Sequence, residues 1–335
     1  MRLGLLGLGR IGEFHAQTLS DLPEVDTLVV SDLVPRRAEE VAARVGAQTA
    51  DSPAGVLAAG VDGVVVAAGT SAHPGLLLAA TQAGIPVFCE KPIARTLAES
   101  VQVLEQVQQT GVAVQIGYQR RFDAGFVAAR EAVRSGELGW LHTLRSTTLD
   151  PSPPSVEYVA GSGGLLRDCA VHDFDALRWV TGREVVEVYA TGSNRGDAFF
   201  TEVGDVDTAA AVLTLDDGTL AVVSNTRYNP RGYDVRLEVH GAKDSIAVGM
   251  DERLPLRSVE PGVAFPSGEP YPAFMDRFLP AYRAELLAFT EVVAGRRPSP
   301  CTLLDALQAE RVAEAGTRSL REHRPVGLDE VPAPS

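Results

Sequence analysis

Two short stretches of this 335-residue chain carry side chains suited to moving a proton. Asp168 and His172 stand four positions apart in Asp168-Cys169-Ala170-Val171-His172-Asp173-Phe174-Asp175, and on a helix that spacing puts both on one face. Histidine titrates near neutrality, and a carboxylate beside it holds its tautomer and supports its cationic form. Such a pair can take the hydroxyl proton from an alcohol whose carbon gives up a hydride. The second stretch is Cys89-Glu90-Lys91-Pro92. An amine such as Lys91 can hydrogen-bond a reacting hydroxyl and favour its alkoxide-like state, and Pro92 restricts Lys91 to extended backbone. The plainer alternatives are a structural histidine and a lysine in a surface salt bridge. Asp168, His172, Asp173 and Asp175 can also be drawn as metal ligands. Asp173, however, points about 100° away from His172 on a helix, and no second histidine-rich segment supplies the missing ligands, so no metal is expected.

What would accept a hydride is suggested at the start of the chain. Leu3, Leu5 and Leu6 form an apolar run that leads into Gly7-Leu8-Gly9-Arg10-Ile11-Gly12, and a helical stretch follows from Phe14 to Leu19. G-x-G-x-x-G between a strand and a helix is a dinucleotide fingerprint, with glycines for a tight turn, close backbone approach to a pyrophosphate, and helix–strand packing. Free N–H groups at the helix start then face the phosphates. Arg10 and Ile11 lie inside this loop and are counted with the cofactor contacts. Asp32 ends the next apolar run, 20 positions after Gly12, where a carboxylate binds the ribose hydroxyls of NAD. Its plainer role is to end a strand and cap the helix that follows. Arg36 and Arg37 are candidates for a 2′-phosphate, but a carboxylate at Asp32 repels one, so NAD is expected rather than NADP.

The elements that must position these residues read as two domains. Residues 1–118 alternate strand and helix. Strands near 27–32, 61–68, 87–89 and 112–116 are interleaved with helices near 35–45, 74–83 and 97–110. Unbroken apolar strands of this kind are buried on both faces, so the expectation is α/β: a Rossmann, doubly wound parallel sheet. Lys91 and Glu90 fall at a carboxyl end of that sheet, where ligands sit, as do Gln119, Arg120 and Arg121 in Gly117-Tyr118-Gln119-Arg120-Arg121-Phe122-Asp123. One of the two arginines is a candidate for substrate hydroxyls and the other for a structural role. Residues 119–335 form the second, substrate-binding α/β domain, with an open, largely antiparallel sheet. A helix near 126–135, a strand near 141–148, a Pro-rich loop from Asp150 and a helix from Gly164 to Thr181 precede strands near 185–193, 208–215, 220–228 and 234–240. Asp216-Asp217-Gly218 is a hairpin turn, and helices near 281–294 and 303–320 close the chain. Tyr233, in the turn before the last of those strands, is either a hydroxyl partner for a polyol or a packed aromatic. The uncovered face of such a sheet suggests a homo-oligomer.

Composition narrows the partners. A formal net charge of −14 argues against nucleic acid. No apolar run approaches the roughly 20 residues needed to span a bilayer, and the glycine-interrupted start lacks a signal-peptide cleavage site. Three cysteines without C-x-x-C spacing read as reduced thiols in a cytoplasmic protein.

The chain resembles the Gfo/Idh/MocA oxidoreductases over nearly its whole length. The resemblance rests on GLGRIGEFHA at the start, CEKP after the fourth strand, GYQRRFD at the domain junction and DCAVHDFDALRW on the helix. LDPSPPSVEYVAGSGGLLRD, NTRYNPRGYDVRLEVHGAKDS and FMDRFLPAYRAELLAFTEVV sharpen it towards bacterial inositol 2-dehydrogenases. The resemblance implies tetramers built sheet against sheet. It implies that Lys91 orders substrate and nicotinamide, and that His172, paired with Asp168, takes the proton from a ring C2 hydroxyl while hydride moves to NAD. Arg121 matches a substrate-contacting position, Tyr233 less clearly so, and Asp150 starts the loop that would select among ring hydroxyls. Thr70 and His73 match the loop bordering the cofactor, although Ala67-Ala68-Gly69-Thr70-Ser71 lacks the proline many relatives carry there. The expected reaction is oxidation of myo-inositol to its 2-ketone. Scyllo-inositol, another cyclitol or a hexose derivative is the alternative substrate, and a non-catalytic dinucleotide sensor the alternative class.

Overall fold

The computed structural model describes residues 1–333, which divide into two compact units. The first holds residues 1–119 together with 282–307. Its elements run β1 (Arg2–Leu6), α1 (Arg10–Ser20), β2 (Thr27–Ser31), α2 (Pro35–Val45), β3 (Gln48–Thr49), α3 (Pro53–Ala58), β4 (Gly63–Val66), α4 (His73–Gln82), β5 (Val87–Glu90), α5 (Leu97–Gln108) and β6 (Val114–Gly117). The six strands are parallel in the order β3-β2-β1-β4-β5-β6. Strand order reverses between β1 and β4, so the carboxyl ends of these strands open the crevice that nucleotides use. β1 and β4 are apolar at successive positions and buried on both faces, as a sheet covered by helices on each side requires. Local chemistry sets the helix ends. Pro35 starts α2, and Gly46 stops it in the left-handed region at φ 70°. The Thr96 hydroxyl accepts the Glu99 N–H at the start of α5.

The second unit holds residues 120–281 and 308–333. It contains α6 (Ala124–Arg134), β7 (Leu141–Leu149), α7 (Val156–Ser162), a π-helical turn at Leu166–Ala170, α8 (Val171–Thr181), β8 (Val185–Ser193), α9 (Phe199–Glu202), β9 (Thr208–Leu215), β10 (Leu220–Thr226), β11 (Asp234–Gly241) and β12 (Ser245–Val248). α10 (Phe274–Val293) and α11 (Leu303–Glu322) follow, and β13 (Val326–Gly327) pairs with β8. The seven-strand sheet has the order β12-β11-β7-β10-β9-β8-β13 and is antiparallel except for β7 beside β10. That exception matters, because parallel neighbours deliver their carboxyl ends to the same edge. Side chains alternate across β9 and β10: Ala209, Ala211, Leu213, Ala221 and Val223 are buried, whereas Val212 and Val222 on the other face are exposed along with Tyr189 of β8. Among the described residues no helix is long and apolar enough to cross a membrane.

The doubly wound sheet and the mostly antiparallel second sheet agree with the sequence-based expectation. Three features differ from it. The expected helix from Gly164 to Thr181 begins as a π turn. The segment after Asp150, read as a loop, contains α7, whose start is capped by Ser155 accepting the Tyr158 N–H. Most substantially, 282–307 packs with the first unit rather than with the rest of 119–335. α10 starts at Phe274 and continues through Pro280; its later residues Leu286, Phe289 and Val292 join Leu3, Leu5, Val30, Val65 and Phe88 in one core. An apolar helix face reports that it is buried, not against which sheet.

Phe289 is fully buried, with its ring 5.9 Å from that of Phe88. Phe289→Ala is expected to destabilise the first unit by about 3–5 kcal/mol, read as a lower denaturant midpoint for that unit.

Candidate active site

The glycine turn has the shape a pyrophosphate requires. Gly7 sits at φ 90°, and a Cβ there would collide with the backbone of Ala68. A Cβ on Gly12 would collide with the Gly7 carbonyl, whereas Gly9 faces open space with nothing within 4 Å of an added Cβ. α1 starts at Arg10 with Gly9 as a cap that offers no side chain, so the backbone N–H groups of Arg10, Ile11 and Gly12 lie at a positive helix end. Asp32 ties the turn to the end of β2. Its carboxylate accepts from Leu8 N–H at 2.7 Å, Val34 N–H at 2.8 Å and Arg37 Nη1 at 3.3 Å. A carboxylate accepts about four hydrogen bonds, which leaves capacity for a ribose hydroxyl. The turn, the open approach at Gly9 and the carboxylate together fit NAD.

Glu90 and Lys91 end β5. The Glu90 carboxylate lies 2.6 Å from Nε2 of fully buried His15, packed against Phe14, Phe88 and Tyr282. The residue before Lys91 is therefore anchored in the core of the first unit, and the Lys91–Pro92 bond is cis. His73 was expected to border the cofactor. It is 1% exposed, with Nδ1 2.8 Å from the Pro92 carbonyl and Nε2 2.9 Å from that of Ala68. The ring clasps two backbone segments, which makes it a brace between the Lys91 loop and the loop after β4. Thr70 opens the short 3-10 turn before it. Gln119 follows β6 and is buried.

In the second unit Asp168 lies in the π turn and His172 is the second residue of α8. A π turn closes i→i+5 rather than i→i+4, so helical spacing alone does not set how these two face each other. Asp168 accepts from two side chains outside the turn: Tyr158 Oη donates at 2.9 Å, and Arg227 Nη2 donates at 2.7 Å. Arg227 also donates through Nη1 to Asp150 at 2.6 Å. Asp150 and Asp168 are thus brought together by an arginine whose role no local pattern in NTRYNPRGYD signals. Tyr233 is buried among Phe274 and Phe278. Burial pushes its phenol well up, against the opposing influence of nearby Arg120, so it is a neutral hydrogen-bonding group.

The two arginines after β6 are both spent internally. Arg120 donates to Asp173 at 2.7 Å and to Thr148 at 2.8 Å. Arg121, expected to contact substrate, forms a bidentate pair with Asp175 at 2.9 and 2.6 Å, and the two side chains are 5% and 1% exposed. The fork onto a buried carboxylate gives Arg121 a structural role, and the substrate contact expected of it stands beside that role as a separate expectation. Asp173 and Asp175 are both arginine partners. Among the described residues no group of three or more His, Cys, Asp or Glu is arranged to hold a metal ion.

Comparison with known proteins places this geometry. Residues 1–118 match the model of the oxidoreductase family with an NAD-binding Rossmann fold, and 126–247 match the GFO/IDH/MocA C-terminal domain. The chain belongs to the Gfo/Idh/MocA family. Like its relatives it is an NAD-dependent dehydrogenase. It is 37% identical to a myo-inositol 2-dehydrogenase from Thermotoga maritima over 99% of each chain. It is 34% identical to an NAD-dependent scyllo-inositol 2-dehydrogenase from Bacillus subtilis over 98% of this chain and 96% of the relative. The solved scyllo-inositol dehydrogenase from Lactobacillus casei with bound NAD(H) and scyllo-inositol superposes with a TM-score of 0.89 at 28% identity, covering 98% of this chain and 99% of that one.

Arg121→Ala would leave the Asp175 carboxylate buried without its partner. The variant is expected to lose about 3–5 kcal/mol of stability, seen in denaturant unfolding, with KM for any substrate unchanged in the folded fraction. A large KM increase at unaltered stability would instead mark Arg121 as a substrate contact.

Proposed function

We propose that this dehydrogenase oxidises a secondary ring alcohol of a cyclitol, with myo-inositol and its C2 hydroxyl as the leading substrate and scyllo-inosose as the product. The observation that carries this reading is the similarity over nearly the whole chain to the Thermotoga maritima myo-inositol 2-dehydrogenase, and the solved relative holding NAD(H) and scyllo-inositol supports a cyclitol. The substrate half supports it with acceptors and donors rather than apolar walls: Asp150, Asp168, Tyr158 and Tyr233 suit a ring presenting hydroxyls. Scyllo-inositol is the second reading, favoured by the similarity to the Bacillus subtilis enzyme.

NAD, when bound at Gly7–Gly12 and Asp32, supplies the two-electron acceptor for the hydride of the ring carbon. Arg10 and Ile11 offer backbone N–H groups to its phosphates, with Thr70, Glu90, Lys91 and Gln119 as the further contacts. His172 takes the hydroxyl proton on an imidazole nitrogen, and Asp168 supports the imidazolium that results. Lys91 donates a hydrogen bond to the reacting oxygen and so eases the loss of its proton. Asp150 and Tyr233 bind ring hydroxyls. A site built to pair a hydroxyl rejects a ring that presents it wrongly far more strongly than an apolar pocket rejects a spare methylene. Selectivity among cyclitols therefore rests on these few polar groups.

A panel of cyclitols and hexoses assayed by NADH absorbance tests the substrate. The largest kcat/KM is expected with myo-inositol, and silence across the panel from protein that binds NAD would overturn the proposal. His172→Ala is expected to keep NAD affinity while turnover falls at least about 100-fold; unchanged turnover would remove His172 from the mechanism.

The chain is also proposed to work as a homo-oligomer, a tetramer by family resemblance. Tyr189, Val212, Leu220 and Val222 are exposed large apolar side chains on one sheet, and a contiguous apolar face of this kind favours burial against another copy. Val212→Arg is expected to lower the oligomer mass in light scattering and leave far-UV circular dichroism intact. The three cysteines are buried and free, which supports a reducing, cytoplasmic setting.

A further inference from the structure

We propose that Arg227 is the positioning residue of the substrate half, a single buried guanidinium that sets both the orientation and the charge of Asp150 and Asp168. The inference rests on the roles proposed above for those two aspartates. Arg227 follows the last residue of β10, and Asp150 follows the last residue of β7. These are the parallel neighbours of the second sheet, with Thr226 in register with Leu149 and the Asp150 N–H donating to the Thr226 carbonyl at 2.9 Å. The one parallel pairing thus delivers an arginine and an aspartate side by side. Arg227 is 3% exposed, and its two terminal nitrogens go to different carboxylates, 2.6 Å to Asp150 and 2.7 Å to Asp168. A planar fork can do this where a lysine ammonium cannot hold both at fixed geometry.

The charge is as important as the shape. Burial opposes the guanidinium charge, but the carboxylates of Asp168 and Asp150 outweigh it, and the group is held above its ordinary range. Its surroundings are otherwise acidic or neutral. Tyr158 of α7 donates to the other oxygen of Asp168. Asp205, in the loop before β9, is raised by burial despite the Leu165 N–H that it accepts, and both Arg227 and Asp168 act on it. The Cys169 thiol is pushed up by burial and stays protonated. Asp173 is paired with Arg120, and neutral Tyr233 feels Asp150 from the start of β11. Without Arg227, carboxylates would share a poorly solvated site, and one of them would take up a proton. An Asp168 that is protonated or turned away no longer supports the His172 imidazolium. Arg227 would therefore act on the proton transfer without touching substrate.

The test compares Arg227→Gln and Arg227→Lys. Aspartate side-chain carboxyl resonances are titrated in the cofactor-free protein, with Asp150→Asn and Asp168→Asn identifying the two signals. In Arg227→Gln the midpoint of at least one is expected to rise by about one pH unit or more. The acid limb of kcat/KM should move the same way, because loss of a neighbouring cation favours the neutral acid. kcat should fall about 100-fold, with NAD affinity unchanged. Arg227→Lys keeps the charge and loses the fork, so its carboxyl midpoints should stay near those of the parent. Its kcat should lie between those of the parent and Arg227→Gln. The proposal is overturned if the midpoints do not move in folded Arg227→Gln, or if Arg227→Lys matches the parent in kcat. Should Arg227→Gln not fold, Arg227→Lys decides through the same titration and kcat. A parent protein that turns over no cyclitol would sink the substrate assignment, while the carboxyl titration would still decide the role of Arg227.

Discussion

Asp173 is fully buried, and its carboxylate accepts from Arg120, Ser146, Thr148 and Asn225. Those donors come from the segment after β6, from β7 and from β10. One carboxylate therefore pins the start of α8 against the two parallel strands of the second sheet. Asp175, two residues on, is held by Arg121 in the same way. Breaking either pair would strand a buried charge, at a cost of several kcal/mol, so the helix has one register on the sheet. His172 and the π turn bearing Asp168 are immediate chain neighbours of that anchor. Acid–base side chains need to be held to within about half an ångström, and this buried network is what can hold them.

The cofactor half depends on a different constraint, the absence of side chains. Gly7 and Gly12 exist because a Cβ at either would strike backbone, and Gly9 leaves the approach open. Rigidity comes from behind: Asp32 ties the turn to β2, His15 holds Glu90, and His73 clasps the Pro92 carbonyl of the Lys91 loop and the Ala68 carbonyl after β4. The two halves thus use opposite means, with backbone shape in the glycine turn and buried ion pairs around Asp168 and His172.

This difference accounts for what was legible in the sequence. The glycine turn, the acidic end of β2, the apolar parallel strands and the capped helices are local patterns, and each could be read where it stands. So could the residue types capable of chemistry, Lys91, Asp168 and His172. Short elements such as α7 and α9 escaped because a turn or two of helix has too little periodicity to register. Arg120 and Arg121 could be named as candidates, but their destinations could not be read, and Arg227 carried no signal beyond its presence in a long quoted stretch.

By itself the sequence determined the fold class and the nucleotide turn, since these follow from backbone preferences and apolar spacing over a few residues, and it named the candidates for the chemistry by residue type. Tertiary structure decided the partners. It joined Arg121 to Asp175 and Arg227 to Asp168 across 54 and 59 positions of chain, and it gave the second half of α10 to the first unit's core. Spacing along the chain carries no record of strand order. The ends of β7 and β10 meet at one edge only once the sheet has formed, and the buried ion pairs that orient Asp168 can be written down only after that.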